Sequence, residues 1–157
     1  MQKTIIKAIG RLKEAWLREG VDMYVERLKP FTNLQIVELP EGHSGSAKPD
    51  IEKTKRIEAE ALLKNLPADR ILVALDESGK NLKSSDFSKI LADWNAQGKT
   101  AYFTIGGSWG LDSSVLGQAD FVLSLGKMTL SHGLARLVLT EQLYRAHSIL
   151  AGKAYHK

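Results

Sequence analysis

Apolar positions in this 157-residue chain fall into short runs that alternate with longer stretches of helical spacing. Residues 4–9 form an apolar run closed by Gly10, and residues 34–39 form another ended by Pro40; both predict strands. Between them Leu17, Val21, Tyr24, Val25 and Leu28 recur at helical spacing, with Pro30 as the stop. Turn-forming residues fill 41–49, a loop expected to be mobile. Asp50 then stands as the N-cap of a charged helix expected to face Ile57, Ala61 and Leu62 inward. The run 70–76 is nearly all apolar and short, as a strand covered on both faces of a parallel sheet should be, and is expected at the sheet centre. Ser85 is expected to cap a helix whose Phe87, Ile90, Leu91 and Trp94 make one stripe before Gly98. A fourth strand follows at 101–105 and a fifth at 121–125. A last helix over about 134–150 carries Leu134, Leu137, Val138, Leu139, Leu143 and Ile149 around most of its surface.

This alternation predicts an α/β fold: one domain over 1–157, with a mostly parallel sheet of about five strands and flanking helices. Ligands in such sheets bind at the carboxyl ends of strands. The informative ends are Leu75-Asp76, Ile105-Gly106 and Leu125-Gly126, all in the second half of the chain. The wide apolar band of the last helix needs cover on more than one side, from its own sheet or from a second subunit, and a homodimer is expected.

Composition narrows the classes. No stretch approaches the roughly 20 apolar residues of a membrane helix, and the first residues are unlike a signal peptide, so a cytoplasmic protein without membrane contact is expected. There are no cysteines, and the four histidines lack metal-ligand spacing, so no metal site is expected. The net charge of +4 leans toward an anionic partner, although the basic residues are spread along the chain.

Three segments carry candidate chemistry. Gly106-Gly107-Ser108-Trp109-Gly110 follows a buried strand, and its glycines let a ligand approach the backbone; a tight turn alone would use them equally well. The order is neither a dinucleotide fingerprint nor a G-x-x-x-x-G-K-[ST] loop, which disfavours a Rossmann cofactor and a phosphate-binding hydrolase. Residues 125–136 combine small residues, hydroxyls, Lys127 and His132 at a helix start, where Ser131 can serve as cap. The chain closes on Tyr155, His156 and Lys157 after Glu141-Gln142-Leu143-Tyr144-Arg145-Ala146, a mixture suited to stacking on a base and pairing with phosphate.

Taken together, G-G-S-W-G after the fourth strand, S-L-G-K-M-T-L-S-H-G-L-A-R, E-Q-L-Y-R-A and the terminal Y-H-K resemble the ribosomal RNA large-subunit methyltransferase H family, of the SPOUT class. The likeness spans essentially the whole chain; Ser108 and Ser131 stand where some members carry proline. It implies a C-terminal trefoil knot, a homodimer with active sites along the subunit interface, and S-adenosyl-L-methionine as cofactor. Carried over residue by residue, the cofactor contacts are Leu75, Gly106, Leu125, Gly126, Lys127, Met128, Thr129 and Leu130. The implied reaction is methylation of N3 of a pseudouridine in the helix 69 stem-loop of 23S ribosomal RNA, with the ribosome as partner. For its chemistry the candidates are His156 as proton acceptor, Tyr155 to orient the base, Lys157 and Arg145 for charge, and His132 as the alternative base. The competing reading is a non-catalytic ribosome- or RNA-binding protein, which would have no reason to bind the cofactor.

Overall fold

Strands and helices alternate throughout the computed structural model, which describes residues 1–43, 45 and 47–157. Their order is β1 (Gln2–Ile9), α1 (Ala15–Leu28), β2 (Thr32–Leu39), α2 (Ile51–Leu63), β3 (Arg70–Asn81), α3 (Ser84–Ala96), β4 (Thr100–Ile105), α4 (Ser113–Gln118), β5 (Phe121–Ser124) and α5 (His132–Leu150). The strands form one sheet in the order β2-β1-β4-β3-β5, every neighbouring pair parallel. The α/β class and the five strands are as the alternation predicted. The mobility expected over 41–49 falls on a segment containing Ser44 and Ser46, which lie outside the described residues.

Two apolar layers hold helices to the sheet. On one face Ile6, Val73 and Phe103 meet Leu28 of α1, Phe87, Leu91 and Trp94 of α3, and Leu139 and Leu143 of α5. On the other, Ile9 and Ala74 meet Ala59 and Leu62 of α2 and Val115 of α4. Such a sandwich requires strands apolar on both sides, and Ile71 to Ala74 are all buried.

The centre of the sheet is β4 rather than β3, because β1 and β3 pair on its two sides. β3 is still covered on both edges, by β4 and β5, so its apolar run follows from burial without requiring the middle position. Ile57 is 43% exposed, whereas Thr54, Glu58, Ala59 and Leu62 are buried; the inward face of α2 therefore includes a carboxyl group in place of the expected isoleucine. Ser85 lies inside α3, where its carbonyl accepts the Ser88 hydroxyl at 2.7 Å; Lys83 holds the cap position without a side-chain bond.

The last helix begins at His132, with Ser131 as its cap. Much of its apolar band is covered within the chain, where α1 and α3 flank it. A Cβ on Gly20 of α1 would come within 3.0 Å of Leu137, which shows how closely these helices approach. Leu134 and Leu150 stay exposed at its two ends. Three helices thus share one face of the sheet and cover part of the band.

Candidate functional site

β4, β3 and β5 are neighbours, and their carboxyl ends open into a cleft of about 380 Å³. That size lies within the roughly 300–1,000 Å³ typical of small-ligand sites. Leu75, Asp76 and Glu77 come from β3 where its regular ladder with β5 stops, Ile105 from the end of β4 with Gly106, Gly107, Ser108 and Gly110 from the loop after it, and Leu125, Gly126, Met128, Thr129 and Leu130 from the segment after β5. His132 and Ala135 of α5 close one side. Of the expected cofactor contacts, all but Lys127 line this one cleft.

Local bonding explains its shape. β3 and β5 change register between Leu75 and Lys80, so residues 76–79 bow out of the ladder and bring Asp76 and Glu77 to the cleft. Gly79 sits where a Cβ would lie 2.6 Å from the Val122 carbonyl, which permits the sharp return. The Asp76 carboxylate accepts the Ser78 backbone N–H at 3.0 Å. After β5 the Ser124 hydroxyl donates to the Gly126 carbonyl at 2.9 Å and accepts from the Gly126 N–H at 3.1 Å. Gly126 itself has φ +145°, a backbone state that L side chains avoid. Thr129 donates its hydroxyl to Glu77 at 2.9 Å and so ties the two lips together.

The 106–110 loop closes on itself, with the Gly110 N–H donating to the Gly107 carbonyl at 3.1 Å. A Cβ on Gly106 would meet the carbonyl carbon of Gly110 at 2.6 Å. Glycine there serves the closure of the loop, as the tight-turn reading of the sequence has it, and Gly106 also lines the cleft.

A second cavity of about 310 Å³ shares Ser108, Ser131 and His132 with the cleft and reaches Arg11, Lys13, Trp16 and Glu41. His132 stands between the two, its Nδ1 buried and without a hydrogen-bond partner. The Arg18 guanidinium donates to the carbonyls of Leu12 and Lys13 at 2.8 and 2.7 Å, which fixes the turn carrying Arg11 and Lys13. Arg136, 2% exposed, pairs with Glu38 at 2.6 Å and donates to the Gly10 carbonyl at 3.0 Å, anchoring the start of α5 to the ends of β1 and β2.

The terminal candidates gather elsewhere. Glu141 accepts from Arg145 Nη2 at 2.6 Å and from the Tyr155 hydroxyl at 3.0 Å, while Arg145 Nη1 meets His156 Nδ1 at 3.2 Å. Tyr155 packs edge-on against Tyr144, with ring centres 4.7 Å apart, and the Arg145 guanidinium lies 4.7 Å from the Tyr155 ring centre. Burial, the Tyr24 hydroxyl and the Glu141 carboxylate push the Tyr155 hydroxyl well above its ordinary range. The Glu141 carboxylate raises the Arg145 guanidinium further. The chain end is therefore held in place, and the Lys153 N–H continues the order by donating to the Ser148 carbonyl at 2.9 Å. Lys157 is exposed.

These two groups do not meet within the chain. Arg145 lies thirteen residues beyond His132 on α5, which at 1.5 Å per residue is about 20 Å. Among the described residues there is no group of three potential metal ligands, and no helix is long and apolar enough to cross a membrane.

Residues 1–156 match the family described as "Predicted SPOUT methyltransferase". The chain belongs to the SPOUT methyltransferase family. It is 40% identical over 160 residues to the ribosomal RNA large subunit methyltransferase H of Carboxydothermus hydrogenoformans, with 100% of both chains covered. The protein of the same name from Acetivibrio thermocellus is also 40% identical over 160 residues, again with 100% of both covered. A solved structure described as a probable methylase family protein from Haemophilus influenzae Rd KW20 superposes with a TM-score of 0.53 at 11% identity, covering 99% of this chain and 70% of that one. That likeness is one of fold.

Several SPOUT-chain residues at the site escaped the sequence reading. Glu77 looks like an ordinary loop carboxylate until the register shift beyond Leu75 is seen. Glu141 is the hub of the terminal cluster, yet by sequence it is one more helix acid. Trp16, 58% exposed beside Arg11 and Lys13, lies off the helical stripe of α1 and gave no signal in the sequence.

Proposed function

We propose that this protein is an S-adenosylmethionine-dependent methyltransferase acting on N3 of a pseudouridine in the helix 69 stem-loop of 23S ribosomal RNA, on the assembled ribosome in the cytoplasm. It would do so as a homodimer with a C-terminal trefoil knot. The observation that carries this reading is the pairing of a cleft at three strand ends with an ordered aromatic and cationic cluster at the other end of the same helix. The curated relatives named above supply the substrate class.

The cleft suits the cofactor. Leu75, Ile105, Leu125, Met128 and Leu130 offer apolar walls for an adenine, and the backbone of the 106–110 and 125–130 segments can supply donors and acceptors. Asp76 and Glu77 favour a cationic ligand, and the start of α5 adds positive potential for a carboxylate. The bound cofactor supplies a methyl group already activated by a positive sulfur.

The chain's residues then have to place a base and stabilise its anion. About 20 Å of helix separates Arg145 from the cleft, so the tail of one protomer would serve the cleft of its partner. Exposed Trp16, Met128, Leu130 and Leu134 around the mouth provide apolar surface for such an approach. The second cavity, with Arg11, Lys13 and Trp16, offers charge and a stacking face to the RNA.

Arginine only donates, so its contact with His156 Nδ1 leaves the neutral ring's proton on Nε2. In this arrangement His156 presents a donor to the negative oxygen of a deprotonated imide. To accept the imide proton it would have to leave Arg145. His132, with an unpartnered Nδ1 beside the cleft, is the other proton acceptor. Mixing experiments test the shared site: a tail-less chain and a chain with a blocked cleft, each inactive alone, should regain activity when co-refolded. No recovery from verified mixed dimers would refute the sharing.

A further inference from the structure

Glu58 is the acid on the inward face of α2, 4% exposed, and its Oε2 has no hydrogen-bond partner. A Cβ added to Gly107 would lie 2.9 Å from both of its carboxylate oxygens, and one added to Gly42 would lie 3.0 Å from its Cγ. The carboxyl thus fills the seam between the 42 turn and the 106–110 loop. Gly107 also lines the cleft, so a single backbone segment separates this dry acid from whatever the cleft holds. Asp76 and Glu77 share the cleft but are wetter, and their fields are better screened.

The charged groups around it are few. Glu41 and His43, themselves paired at 3.3 Å, face it from the segment after β2. Its own helix carries Lys55 and Arg56 toward Asp112 at the start of α4. The 106–110 loop has no charge, and β1 presents Ile9. Burial, then Glu41, pushes the Glu58 carboxyl up to about 7, with His43 opposing.

We propose that Glu58 is a specificity-determining residue of the cleft, its ionised carboxylate favouring a cationic sulfonium ligand over the neutral thioether that remains after methyl transfer. This rests on the cofactor reading given above. The two ligands share their adenosine, amino and carboxylate groups and differ at sulfur, so the difference in their response isolates that charge. A cation entering the cleft draws the carboxyl proton off to solvent. The neutral product lets it return, which weakens retention of cofactor relative to product as pH falls.

The test is calorimetry of S-adenosylmethionine and S-adenosylhomocysteine binding at pH 7, in two buffers of different ionisation enthalpy. Wild-type protein should release up to roughly half a proton with the sulfonium ligand and none with the thioether. If the cation moves the titration by one pH unit, affinity for the sulfonium relative to the thioether should fall about fivefold between pH 8 and pH 6. Glu58→Gln should bind both ligands with no such release and a flat ratio. Wild-type binding of the sulfonium without proton release overturns the proposal, even if the variant does not fold. So does a Glu58→Gln protein with wild-type release. Failure of wild-type protein to bind either ligand would instead remove the cofactor reading itself, and this proposal with it.

Discussion

Replacing Gly106 by alanine puts one carbon where the 106–110 loop closes on itself. The added Cβ would stand 2.6 Å from the Gly110 carbonyl carbon, 2.7 Å from its oxygen and 2.9 Å from the Leu111 nitrogen, all backbone atoms. Ordinary contact starts at 3.4 Å, so Gly110 must retreat by about 0.8 Å. Overpacking on that scale costs about 1–3 kcal/mol. Loss of the Gly110 N–H bond to the Gly107 carbonyl at 3.1 Å adds about 1 kcal/mol. A penalty of roughly 2–4 kcal/mol lowers the melting temperature of a domain this size by about 6–12 °C. The displaced loop also lines the cleft, so cofactor affinity should weaken about tenfold or more. Thermal unfolding with and without S-adenosylmethionine, together with calorimetry, reads both effects. A variant with wild-type melting temperature and wild-type affinity would show that the loop is not closed as described.

Other substitutions probe other parts of the account. Arg136→Met removes a buried guanidinium from Glu38 and the Gly10 carbonyl; because Glu38 remains 42% exposed and can be rehydrated, the loss should be about 2–3 kcal/mol in denaturant unfolding, and a wild-type midpoint would argue against the anchor. Glu58 carries its proton to about pH 7 when folded against 4.5 as the ordinary value, so its protonated form favours folding below 4.5 and this advantage is lost as pH rises toward 7. Glu58→Gln should therefore match wild-type stability at pH 4 and exceed it at pH 8 by as much as about 3 kcal/mol; equal stability across that range would contradict the burial argument. A chain stopped at Ala154 should bind cofactor normally and lose most methylation of ribosomes lacking the modification. Wild-type single-turnover rates from it would dismiss the tail.

Where the chain repeats a simple physical pattern, the fold was legible: Leu72, Val73 and Ala74 announce a strand buried on both faces, and Ser131 announces the start of α5. The cleft was legible for the same reason, since ligands gather at strand ends and Gly106 and Gly126 follow two of them. What stayed hidden depends on pairings between distant residues. The central place of β4 comes from β1 choosing it as a neighbour, and nothing in residues 100–105 records that choice. Arg136 looks like an exposed helix cation until β1 and β2 bring it Glu38 and Gly10. Glu58 is more telling still: its neighbours within α2 predict a solvated charge, and only the packing of Gly107 and Gly42 makes it dry. The apolar band on α5 did not record its partners either: Leu137 is met by α1 of the same chain, while Leu134 and Leu150 stay exposed.

The measurement that bears most directly on the central proposal is transfer of a labelled methyl group from S-adenosylmethionine to ribosomes that lack the modification, using the purified protein, followed by mass spectrometry of the rRNA nucleosides. About one methyl group per ribosome is expected, in 23S rRNA, on N3 of a pseudouridine within the helix 69 stem-loop. Cofactor binding without any transfer to rRNA from subunits or assembled ribosomes, or transfer to a different nucleoside, would contradict it.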